Sequence, residues 1–211
     1  MPTGIGRKSG RAKHGSICVI LTIYSEPAIE PVSIADAKDH LRVSGNDEDA
    51  YISSLITAAR QQVENTCGRA LITQTWDMWV DQFPYSMDYV DIPKAPLQSV
   101  TSITYVDTAG ATQTLSSSVY TVDSDSIPGR VYLAYNQTWP DVRSQRKAVK
   151  IRYVAGYGPT KEDVPLPIRH AMLLLIAHFY ENREPINIGN TVTPIPLAFE
   201  SLLMPYRLAY L

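Results

Sequence analysis

Asp163-Val-Pro-Leu-Pro-Ile-Arg-His-Ala-Met-Leu-Leu-Leu-Ile-Ala-His-Phe-Tyr-Glu-Asn-Arg-Glu184 is the stretch on which the reading of this chain turns. Pro165 and Pro167 stand where a helix begins, because the first-turn N–H groups have no intrahelical partner to lose. Ala171 to Ala177 is an unbroken apolar run. A surface helix shows one apolar stripe and a polar back; one apolar all round has to be covered on more than one side. A bilayer is a poor cover, since a span needs about 20 apolar residues and Arg169, His170 and His178 bracket this run. The sequence therefore predicts a central helix, enclosed partly by its own fold and partly by another subunit.

Two helices precede it. Ser33 can cap a short helix over Ile34–Val43, with Asp36 placed as the capping-box acid. A longer helix runs from about Asp47 to Cys67, with acids at its positive end and Gly68 as its stop. Ile52, Leu55, Ile56, Ala59 and Val63 form its apolar stripe, and about 20 residues make it roughly 30 Å long. From Leu71 the period changes to that of strands: Thr75–Val80, Val100–Val106, Tyr120–Val122, Val131–Leu133 and Val149–Tyr153. Asp107–Gly110 and Ile127–Gly129 separate them, the latter with the residues of a type II turn. After the apolar helix, a Pro-containing loop leads to a last helix over Leu197–Leu203 and an aromatic end, Tyr206 to Leu211. The fold class read from this is α+β: a helical core made of the long amphipathic helix, the central apolar helix and the C-terminal helix, with an inserted antiparallel β meander. Residues 1–25 read as a flexible basic arm whose end, Ile17–Tyr24, is a strand or extended segment. Residues 26–211 read as one domain, with its β-rich insertion at about 70–158.

Composition narrows the function. A chain of 211 residues can bury about 70% of its unfolded surface without metal or disulfide staples. Cys18 and Cys67 are too few for either. Net charge is −2, but Arg7, Lys8, Arg11 and Lys13 lie in an acid-free start, which leaves 15 basic and 21 acidic residues in the remainder. An acidic body does not read as a protein that coats DNA. Thirteen tyrosines against three phenylalanines suit half-buried faces and interfaces. No nucleophile elbow, Walker loop or dinucleotide fingerprint occurs. His170, His178 and Glu181 could share one helix face as metal ligands, but one reversed Glu/His pair is not a di-iron set. The residues point to no catalytic, cofactor or metal site, and to a protein that acts on other proteins.

Several strings, in order, carry a resemblance: EPVSIADAKDHLRVSGNDEDAYISSLITAARQQVENTCGRALITQTWD, IPKAPLQSVTSITYVD, YTVDSDSIPGRV, NQTWP, VKIRYVAGYG and VPLPIRHAMLLLIAHFYENRE. Over about Glu26 to Tyr206 the chain resembles the head–tail connector (adaptor) proteins of long-tailed phages, the group labelled as possible DNA-packaging proteins. The resemblance implies a structural virion protein at the head–tail junction, assembled in the host cytoplasm, with no enzymatic activity and no cofactor. It implies a homo-oligomeric ring, dodecameric in the virion, beneath the portal protein. That ring would dock a stopper or tail-completion protein and pass genomic DNA without sequence-specific binding and without a membrane. The residues expected at ring or portal contacts are Leu174, Tyr180, Arg183, Phe199, Tyr206, Arg207 and Tyr210. The alternative is a packaging accessory factor with metal-dependent or DNA-binding activity, using His170, His178 and Glu181 or the basic arm.

Overall fold

A computed structural model describes residues 19–84, 89–183 and 197–208. Helix α1 spans Ile34–Leu41, α2 Asp49–Cys67, α3 Leu166–Glu181 and α4 Leu197–Leu203. The eight strands are β1 (Ile20–Ser25), β2 (Gln74–Val80), β3 (Tyr89–Ile92), β4 (Leu97–Val106), β5 (Thr112–Thr114), β6 (Tyr120–Asp123), β7 (Gly129–Leu133) and β8 (Val149–Ala155). All strands but β1 lie between α2 and α3 in the chain.

Local chemistry sets the helix ends. The Asp36 amide donates to Ser33 Oγ at 3.1 Å and the Ser33 amide donates back to Asp36 Oδ2 at 3.2 Å, a complete capping box. Gly68 closes α2 in the left-handed region at φ 70°, where a Cβ would be penalised. The α3 helix starts at Leu166, directly after Pro165, and stops at Glu181, three residues short of the expected Glu184. Asn182 ends it, its amide donating to the His178 carbonyl.

Helix α3 lies between α2 and α4. Ile52, Ile56, Ala59 and Val63 of α2, Ile168, Ala171, Met172, Leu175 and Ile176 of α3, and Phe199 and Leu203 of α4 form one buried cluster. Each fully buried Val, Leu, Ile or Met side chain there is worth about 1.5–3 kcal/mol relative to exposure.

The five strands read from the sequence all exist, but they divide between two sheets. One sheet has the order β1-β2-β8-β4-β5 and the other β3-β7-β6, with antiparallel pairing throughout. Their inner faces share a second core, which includes Trp76, Met78, Ile151 and Ile103 from the first sheet and Ile92 and Val131 from the second. The type II turn expected at Ile127–Gly129 is not formed. Gly129 instead opens β7 opposite Ile92, and a Cβ built on it would lie 2.5 Å from Leu97 Cβ. Its lack of a side chain serves close approach rather than a turn. Residues 20–25, the end of the expected arm, are the edge strand β1 on β2; the arm's first 18 residues lie outside the described ones.

A short crossing joins the two cores. The amide of Ala70 donates to Ala95, that of Tyr157 to Leu71, and that of Thr73 to Gly158. Beneath it sits a buried polar knot. Glu64 Oε1 accepts from the Leu71 amide at 3.0 Å and from Gln74 Nε2 at 2.7 Å. Arg60 reaches Glu64 Oε2 at 3.2 Å and Glu30 Oε2 at 2.8 Å. Helix α2, the sheet and the segment before α1 are thereby tied at one point.

Candidate assembly interface

Helix α3 exposes part of its apolar circumference. Leu166 is 70% exposed, and Leu173, Leu174, Ala177 and Tyr180 are half-buried. With a helical repeat of 3.6 residues, Leu166, His170, Leu173, Ala177 and Tyr180 fall on one stripe opposite the buried Ile168, Leu175 and Met172. Leu173 and Tyr180 also lean on the helical core, so the stripe is partly covered, and its exposed remainder on the central helix suits a subunit contact.

At the C-terminal end of α3 the stripe meets a tight cluster. The Arg183 guanidinium lies 4.5 Å from the ring centres of both Tyr51 and Tyr180. It donates to Glu48 Oε1 at 2.7 Å, and the Tyr180 hydroxyl donates to the other Glu48 oxygen. The bonds from Tyr180 first and Arg183 second hold the Glu48 carboxyl below the usual range, and the bond to Glu48 pushes the Tyr180 phenol up. The cluster fastens the end of α3 to the start of α2 and leaves Arg183 nearly half exposed, at 46%.

Tyr180 and Arg183, expected at a contact, are thus brought together, with Leu174 less than two turns away on the same helix. Phe199 is different. It is 3% exposed and fills the helical core between α4 and α3, because α4 is a short amphipathic helix whose inner face needs an aromatic filler. It offers no side chain to a partner. Tyr206 is half-buried; its carbonyl accepts from Arg69 Nε at 2.6 Å. Arg207 is exposed, and the Leu208 amide donates to the Cys67 carbonyl, so the segment just after α4 is anchored to the end of α2. Tyr210 lies outside the described residues.

The metal alternative finds no constellation. His170 is exposed and makes an edge contact with His40 at 6.3 Å, His178 lies beside Phe179, and Glu181 is exposed. Among the described residues no three His, Cys, Asp or Glu side chains group as ligands. Among the same residues no helix is long and apolar enough to cross a membrane.

Sequence reasoning missed Glu48 and Tyr51, which complete the Arg183 cluster, and the outer stripe of α4. Leu197 is 83% exposed and Met204 75% exposed, with exposed Glu200 and Ser201 between them. The i, i+3, i+4, i+7 spacing of those four was a readable signal. It was masked by the inner-face residues Phe199, Leu202 and Leu203, which attract attention first.

The outer face of the large sheet is of another kind. Arg152 grips both oxygens of Asp77, at 2.7 and 2.8 Å, and lies 3.4 Å from the Tyr24 ring centre. Lys147 and Lys150 lie over Trp79. These cations are paired or stacked within the chain, and the face reads as a finished solvent surface.

The family model described as head completion protein, HCP, matches residues 30–207. No curated protein matches the chain. Among solved structures that share the fold are three from GTA particles. A chain from the neck of an empty GTA particle, computed with C6 symmetry, superposes with a TM-score of 0.76 at 23% identity, over 91% of this chain and 97% of that one. One from the virion of a native gene transfer agent (GTA) particle gives 0.74 at 24% identity, over the same shares. One from the neck of a native GTA particle, computed with C12 symmetry, gives 0.72 at 22%, over 90% and 97%.

Proposed function

Since the chain belongs to the head completion protein family, we propose that it is a structural subunit of the neck of a tailed-phage-like virion, and that copies of it form a ring at the head–tail junction. The observation that carries the ring is the partly exposed outer side of α3, where Leu166 is 70% exposed and Leu173, Leu174 and Ala177 are half-buried, on a helix whose other side is already packed between α2 and α4. A cyclic ring needs two different contact faces on each subunit, one for each neighbour. A central helix apolar on more than one side supplies such a face. The shared fold with neck proteins of particles treated with six- and twelve-fold symmetry supports the same reading.

The finer assignments follow in the same direction. The ring is dodecameric in the virion, sits beneath the portal protein, and offers its far side to a stopper or tail-completion protein. DNA passes through it without sequence-specific contact. An acidic body suits that role, because a strongly basic lining would hold phosphates. Electron microscopy of the purified protein, alone and mixed with portal protein, is the test. Rings, or ring density on the portal, are expected. A protein that stays monomeric under both conditions would refute the proposal.

A further inference from the structure

The proposed ring leaves open which two surfaces meet, and the chain carries a matched pair. The first is a groove of about 220 Å³ between the segment leading into α1 and the outer side of α3, with Pro31, Val32, Leu166, Arg169, His170 and Leu173 along it. Its apolar part is Leu166, 70% exposed, and half-buried Leu173 over buried Val32. Its polar part is Arg169. The Nε of that guanidinium is shut off from solvent and has no hydrogen-bond partner. Among the described residues no carboxylate pairs with Arg169. The one acid on the groove's rim, Asp36, is already held by Lys161 at 2.7 Å and by the Ser33 amide. A half-buried cation without an acceptor inside the subunit is costly, which favours an acceptor supplied from outside it at the groove.

The second surface is the outer stripe of α4 and the turn after it. Leu197 and Met204, 83% and 75% exposed, flank exposed Glu200 and Ser201. Glu200 makes no ion pair among the described residues. Both surfaces carry the same four-position pattern at i, i+3, i+4 and i+7: apolar, polar, polar, apolar. On α3 the polar pair carries a cation, Arg169, beside His170; on α4 it carries an anion, Glu200, beside Ser201. With the charge central, the match holds whether the helices run parallel or antiparallel. Within one subunit Leu166, Leu197 and Met204 stay largely exposed, so neither surface covers the other's apolar ends.

We infer that in the ring the α4 stripe of one copy seats in the α1/α3 groove of the next, Glu200 pairing with Arg169 while Leu197 and Met204 cover Leu166 and Leu173. This rests on the ring reading and identifies its contact. The arrangement is heterologous, with groove and stripe on every subunit, as a closed ring demands. The occupant is a second copy of this chain because it supplies the anion, the flanking apolar residues and their spacing together.

A charge swap tests it. Assembly of Arg169→Glu, Glu200→Arg and the double variant is followed by light scattering over a concentration series and by microscopy, with portal protein added if wild type needs it. Circular dichroism melting confirms that each variant folds; Arg169→Gln and Glu200→Gln replace any that does not, and are expected to weaken assembly severalfold. Each charge reversal should raise the concentration for half-assembly at least about tenfold, and the double should return to within about threefold of wild type. Single variants that assemble like wild type, or a swap that fails to restore assembly, would overturn this contact while leaving the ring intact. Wild type that forms no ring with or without portal would overturn both.

Discussion

Arg60 is the residue on which the join between the helical and sheet halves depends. It and Glu64 are 4% and 5% exposed at their side chains, and burial is what pushes the Glu64 carboxyl up, against the pull of the Leu71 amide and Arg60. Arg60→Ala strands that carboxylate in a dry site. Equilibrium urea unfolding should show a loss of about 3–5 kcal/mol, the usual cost of removing one partner of a buried pair. Asp36 gives the opposite sign of pH dependence. The Lys161 ammonium, with Ser33 next, holds its carboxyl down to about 2. A carboxyl lower in the folded state than in the unfolded one stabilises fully above the ordinary carboxylate range, and that contribution disappears as pH falls from about 4 towards 2. The pair faces water, with side chains 32% and 42% exposed, so Asp36→Asn should cost roughly 1 kcal/mol or less at neutral pH. The difference from wild type should shrink as unfolding is repeated at decreasing pH.

At the scale of elements, Gly129 decides whether the second sheet can close on the first. With Leu97 Cβ 2.5 Å from any added Cβ, Gly129→Ala has to push β7 away from β4. A loss of about 1–3 kcal/mol is expected, read by thermal or urea unfolding. Gly129 also marks the limit of what the sequence states. Helix positions were legible because their signals are local: the Ser33–Asp36 box, the Ile52–Val63 stripe, Gly68, and Pro165 ahead of α3 all act within a few residues. Strand existence was legible too, from alternation such as Val149, Ile151 and Tyr153. The division into two sheets was not, because it depends on which strand meets which. Pairing of β2 with β8, or of β3 with β7, joins segments tens of residues apart, and no local pattern records it. The same holds for the cluster at the end of α3. Tyr180 near the end of α3 and Arg183 just after it could be read from their place in the chain, but Glu48 and Tyr51 join them only through the approach of α2 to α3. Phe199 was misplaced because an aromatic on a short terminal helix looks the same in sequence whether it faces in or out.

For the whole molecule, the question is whether the apolar girth of α3 serves the fold or the assembly, and the two uses separate along its circumference. Ile168, Ala171, Met172, Leu175 and Ile176 are buried within the chain, so they are spent on folding. Leu174 is half-buried and is not among the side chains that pack on the helical core. A charge at the first group would be paid in stability, whereas Leu174→Glu should leave the isolated subunit folded, within about 1 kcal/mol of wild type. The same substitution puts a carboxylate on the flank of the stripe proposed to meet a neighbour, where desolvating it without a partner is costly. Ring assembly should therefore fail while the melting curve of the subunit barely moves, a separation that microscopy and circular dichroism on the same preparation would reveal. If Leu174→Glu assembled like wild type, that flank of α3 would lie outside the contact, and the neighbour would have to be held by the Leu166–Leu173 side alone. If the subunit instead unfolded, Leu174 would belong to the core, and the division of α3 into a folding side and an assembly side would be drawn in the wrong place.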